Sequence, residues 1–112
     1  MWILTDKGFF SIVKKHDTPP DALTVRARVL GDLERLKQDI PGAGPIETGG
    51  HSDYPHRCTV SRADFAAWVS TQIQDLDYPN FKNHVGRVDG EERQAIYHSV
   101  WFNLIDLENL PE

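Results

Sequence analysis

A chain of 112 residues is expected to hold one domain, and an apolar content of 39% with three Trp, three Tyr and five Phe excludes a disordered tail. A formal net charge of −5 argues against nonspecific duplex binding. The single cysteine, Cys58, excludes an internal disulfide framework and suits a reducing compartment. No apolar run reaches the roughly 18 residues of a membrane helix, and Asp6 and Lys7 interrupt any apolar leader, so the expectation is a cytoplasmic protein with no membrane partner.

Trp2 to Thr5 and Phe9 to Lys15 are rich in aromatic and β-branched residues, and Asp6-Lys7-Gly8 separates them. Gly8 supplies the positive φ of a short loop, so the N-terminus reads as a β-hairpin. Asp17-Thr-Pro-Pro-Asp21 breaks the chain. From Leu23 to Val29 the residues alternate: Leu23, Val25, Ala27 and Val29 point inward, Thr24, Arg26 and Arg28 outward. Leu33, Leu36 and Ile40 follow at helical spacing, with Gly31 or Asp32 as cap and Pro41-Gly42 as stop. Residues 41 to 55, rich in Gly and Pro, read as one long loop.

His56 to Val60 is a short strand with Cys58 and Val60 inward and Arg57 outward. Ser61 opens a helix whose inner face is Phe65, Trp68, Val69, Gln72, Ile73 and Leu76. After Asp77-Tyr-Pro-Asn80, Pro79 suits the first turn of a short helix through Val85. Residues 86 to 90 are a second break, and Asp89 is the expected cap of a last helix. Tyr97, Val100, Trp101, Leu104 and Leu107 share one stripe of it, and Ile96, Phe102 and Ile105 widen that stripe beyond one face. The order ββ-βα-βα-α predicts an α+β fold with a mostly antiparallel four-stranded sheet and helices packed on one face. The two strand-to-helix units resemble half of a ferredoxin-like arrangement.

Several segments together carry a wider resemblance: Met1-Trp-Ile-Leu-Thr5 with Gly8-Phe-Phe-Ser-Ile-Val13, Leu23-Thr-Val-Arg-Ala-Arg-Val29 running into Asp32-Leu-Glu-Arg-Leu36, Asp53-Tyr-Pro-His-Arg57, and Asp77-Tyr-Pro-Asn-Phe-Lys82 followed by Tyr97-His-Ser-Val-Trp101. Over nearly its whole length the chain resembles a family of small, stand-alone bacterial and phage proteins with no established activity. The resemblance implies a complete bacterial or phage-borne protein, and it assigns no functional residue.

Four constellations have chemical content. Arg26, Arg28 and Arg57 lie on outward sides of two strands, as in sheets that hold nucleic-acid or nucleotide phosphates, although no motif of an RNA-binding module or phosphate loop accompanies them. The bland alternative is solvated surface charge. His51, Asp53 and His56, near Cys58, are zinc-competent side chains without an established ligand spacing, the weak basis for a metal-dependent hydrolase. Cys58 on a buried strand face lacks the electropositive, partly exposed setting of a nucleophile, and no serine sits in a nucleophile elbow, so the residues lean away from catalysis and imply no cofactor. Finally, the rings exceed what one small core takes in. Phe9, Phe10, Trp101 and Phe102 are the candidates for an interface with a protein partner or a second copy.

Overall fold

The computed structural model describes residues 1–50 and 53–111. They group into two compact units, Met1–Leu76 and Asp77–Glu112.

In the first unit five strands, β1 (Trp2–Thr5), β2 (Gly8–Val13), β3 (Ala22–Ala27), β4 (Glu47–Thr48) and β5 (His56–Ser61), form an antiparallel sheet ordered β1-β2-β3-β5-β4. Helix α1 (Leu30–Asp39) follows β3, and α2 (Arg62–Gln74) follows β5. The sheet therefore has five strands rather than the expected four. The added strand lies inside the stretch read as loop, where two residues are too few for alternation to be legible. Glu47 and Thr48 pair with Arg57 and His56, and Gly49 and Gly50, both at positive φ, lead the chain away. The ferredoxin-like expectation is also corrected. A βαβ crossover joins parallel strands, whereas β3 and β5 are antiparallel neighbours on either side of α1.

The strand faces separate as the alternation predicts. Phe10, Ile12, Val25, Ala27, Cys58 and Val60 form one core with Leu33 and Leu36 of α1 and Phe65 and Trp68 of α2, so both helices cover the same sheet face. Phe10, expected among the interface rings, is fully buried and meets Trp68 edge to face at 5.6 Å. Neighbouring strand residues face opposite sides, so placing Phe10 inward sends Phe9 outward. Val29, expected on the inner strand face, is instead the extended residue that precedes α1, without a side-chain cap.

Asp32, expected as a possible cap, sits in the first turn of α1, where the positive helix end favours a carboxylate. It is buried, accepts the Phe9 N–H at 3.1 Å and pairs with Arg35 at 2.6 Å. Arg35 donates in turn to the Lys7 carbonyl. This lock fixes the hairpin turn, because a Cβ at Gly8 (φ +148°) would run into the Asp32 carboxyl. Ser61 caps α2 as expected, accepting the Asp64 N–H at 3.1 Å.

The second unit contains α3 (Phe81–Asp89), α4 (Glu91–Leu104) and a closing 3-10 turn (Ile105–Asn109). Asn80 caps α3 through the Asn83 N–H, so Pro79 precedes the cap and does not open the helix. Helix α3 also runs past the expected break to Asp89. Gly90 at φ +99° makes the break, and Asp89 caps nothing. Gly86 stays helical and lets α3 and α4 approach, since a Cβ there would strike the Gln94 amide. Phe81 and Tyr97 stack between the two helices at 5.8 Å. Among the described residues no helix is long and apolar enough to cross a membrane.

Candidate functional site

On the sheet face opposite α1 and α2, strand register places Trp2, Ser11, Arg26, Arg57 and Glu47 in one row across all five strands. Arg26 and Arg57 are direct cross-strand partners, an arrangement in which like charges repel. The expected gathering of guanidiniums on this face is therefore present, and no ion pair engages Arg26, Arg28 or Arg57 among the described residues. Arg26 donates to Ser11 Oγ at 2.7 Å. The Nε of Arg26 and that of Arg57 are both shielded from solvent and donate to no acceptor among the described residues.

Tyr54 organises the neighbourhood. Its ring lies 4.6 Å from the guanidinium carbons of both Arg26 and Arg28, and Phe9 closes on it at 6.3 Å with Trp2 behind. Arg28 also donates to the Asp53 carbonyl at 2.7 Å. Two cation–π contacts and a flanking ring leave Tyr54 only 4% exposed on a face that carries no helix of this unit. Sequence reading missed this role. The local signal was Asp53-Tyr-Pro55 directly before a strand with outward arginines, but pairing a loop ring with two strand residues requires the register.

Beside Arg57 the face opens into a cleft of about 200 Å³ lined by Lys15, Asp17, Thr18, Thr24, Pro45, Glu47 and Thr59. Thr18 and Thr24 hydroxyls share a 2.7 Å hydrogen bond at its floor. Cys58 contributes its strand to the same wall, but its side chain belongs to the core. Burial pushes the Cys58 thiol up to about 11, with Lys37 opposing weakly, so at neutral pH it is an un-ionised small hydrophobe.

Of the three expected metal-ligand candidates, His51 lies outside the described residues. His56 Nδ1 is hydrogen-bonded to Thr48 Oγ1 at 2.9 Å, and Asp53 Oδ1 accepts the Tyr54 N–H at 3.0 Å. Among the described residues no three His, Cys, Asp or Glu side chains converge as a metal group.

The second candidate region lies on α4 and the turn after it. Ile96, Val100, Trp101, Phe102, Leu104, Ile105, Leu107 and Leu110 are all exposed, Phe102 at 63%. Tyr97 is the buried residue of this helix. Trp101 packs beside His98, and Lys82 of α3 places its Nζ 3.9 Å from the Trp101 ring centre. Glu91 and Glu92 precede the apolar stretch, and Asp106 and Glu108 are interspersed among its last members, beside Ile105 and Leu107. Of the four expected interface rings, Trp101 and Phe102 are both exposed on α4, Phe9 lies on the sheet face and Phe10 is in the core.

No family model, no curated protein and no solved structure matches the chain.

Proposed function

We propose that this is a non-enzymatic binding protein that acts through a protein interface on α4 and the turn after it. The observation that carries this reading is the run of eight exposed apolar side chains between Ile96 and Leu110. Isolated exposed apolar residues are ordinary, but so many on one helix and the turn after it in a small domain point to an interaction surface. Standard interfaces take about 800 Å² from each side and centre on aromatic anchors. Trp101 and Phe102, with exposed aliphatic side chains on the same helix, are aromatic anchors of that kind. The carboxylates before and among these side chains suit a partner whose apolar groove also carries Lys or Arg. A second copy is the other occupant, at the cost of bringing these carboxylates together.

The test compares the wild type with a Trp101→Ser/Phe102→Ser double variant by light scattering, by fluorescence of an apolar dye, and by proteins recovered from the native cell. Support is a dimer, or one stoichiometric partner, that the double variant loses along with dye binding. A dye-silent monomer whose recovered proteins match those of the double variant overturns the reading.

The arginine face gives less support to single-strand nucleic-acid binding. A base would stack where Tyr54 already stands between Arg26 and Arg28.

A further inference from the structure

The geometry points to a second site, independent of the α4 surface: the cleft beside Arg57 takes a small phosphorylated compound that carries hydroxyl groups. Three observations converge on it. The first is electrostatic. Arg57 faces Arg26 across the strand pair, and neither is engaged in an ion pair among the described residues. Glu47, across from Arg57 on the β4 side, forms no ion pair with it. An oxyanion supplies the missing countercharge, and a guanidinium matches it with two parallel N–H donors.

The second observation concerns hydrogen bonding. The Nε of Arg57, like that of Arg26, is shielded and donates to no acceptor among the described residues. Shielded polar groups are ordinarily satisfied, and one that is not calls for a partner. Ser11 partly satisfies the Arg26 fork and the Asp53 carbonyl satisfies Arg28, which leaves Arg57 as the arginine of this face with no hydrogen-bond acceptor among the described residues.

The third is shape and lining. About 200 Å³ of space adjoins Arg57, and Lys15 and the hydroxyl-bearing Thr24 and Thr59 stand around it. These are the donor types that hold a phosphate without a glycine-rich loop. Asp17 and Glu47 line the same cleft. They oppose a bare dianion, and they are natural acceptors for hydroxyl groups attached to one. The mixed lining therefore selects a phosphate monoester of a polyol over inorganic phosphate. The cleft is also too polar for an apolar ligand.

Two-dimensional amide NMR of the full chain tests this, with inorganic phosphate and glycerol phosphate titrated at constant ionic strength against a chloride control. The expected result is saturable shifts at Thr24, Arg57 and Thr59, with glycerol phosphate binding several-fold more tightly than inorganic phosphate. Arg57→Gln weakens both at least ten-fold. The Trp101→Ser/Phe102→Ser variant, altered on the other surface, binds as the wild type does. Thr59→Val covers the case in which Arg57→Gln fails to fold, and it weakens glycerol phosphate binding several-fold. Shifts that stay linear as in chloride, or that persist in Arg57→Gln, overturn the site. Equal or weaker binding of glycerol phosphate overturns the ligand class.

Discussion

The two units of this chain handle apolar side chains in opposite ways. In Met1–Leu76 the inward residues of four strands and two helices close on each other, and Phe10, Val25, Leu33 and Leu36 are fully buried. In Asp77–Glu112 the side chain that is fully buried is Val85, while most of the large apolar side chains of α4 remain in water. A sheet has two faces, and one layer of helices is enough to close one of them. Two helices and a turn have no such second layer, and α4 carries apolar residues around most of its circumference. The first unit thus closes a core of its own, although Trp2 and, against the expected inner face of α2, Ile73 and Leu76 stay exposed. The second holds most of the large apolar side chains of α4 where another molecule can cover them.

The largest test of that contrast is a ring from each side. Phe10→Ala is expected to cost about 3–5 kcal/mol in urea unfolding, as buried Phe truncations do, since it removes the partner of Trp68 and leaves a cavity under β2. A loss below about 1 kcal/mol breaks the claim that this unit is closed. The next effect is polar. Asp32→Ala deletes the acceptor of the Phe9 N–H and the carboxylate partner of Arg35, whose side chain is 42% exposed and keeps the Lys7 carbonyl. A fully buried pair would lose about 3–5 kcal/mol, and the solvation open to Arg35 lowers the expected loss to about 2 kcal/mol. Asp32→Asn, which keeps an acceptor, is expected to lose less.

Arg57→Leu tests a smaller effect of opposite sign. It removes a like-charge cross-strand neighbour of Arg26 and a shielded, unsatisfied Nε. In phosphate-free buffer the variant is expected to unfold at higher urea, with a gain of about 0.5–1 kcal/mol. A site kept for a ligand is expected to be suboptimal without it. A destabilised Arg57→Leu removes that argument and means that the arginine stem packs more than its charge repels.

Much of the first unit was legible because its pattern is local. The alternation from Leu23 to Ala27 and from His56 to Val60 identified the core face, and Ser61 marked the start of α2. What escaped was set by register and distance. β4 exists because Glu47 and Thr48 find β5 across a turn, and two residues carry no periodicity of their own. Tyr54 could not be tied to Arg26 and Arg28 before the sheet order was known. Asp32 looked like a cap because caps are the common use of that residue. Its role as the lock of a hairpin twenty-three residues away is tertiary. In the second unit the excess of apolar positions on α4 was visible from spacing alone. The boundary at Gly90 was misplaced, because Asp89-Gly90 offers both a cap and a break and only backbone geometry distinguishes them.

The smallest expected effect on stability completes the comparison. Phe102→Ser replaces a ring that is 63% exposed. Little of that ring leaves water when the unit folds, so its removal takes away little transfer energy. Surface substitutions without buried partners usually stay within about 0.5 kcal/mol, and the helix propensities of Ser and Phe are close. Monomer stability in urea is therefore expected to change by less than about 0.5 kcal/mol, measured at low concentration so that association does not contribute. Raising the concentration separates the two roles of the ring. If Phe102 belongs to an interface between copies, wild-type stability rises with concentration and the variant's does not. If it meets a different partner, neither rises, and the variant differs only once that partner is added. A loss near that of Phe10→Ala at low concentration means that Phe102 supports the fold itself, and the contrast between a closed and an open unit then fails.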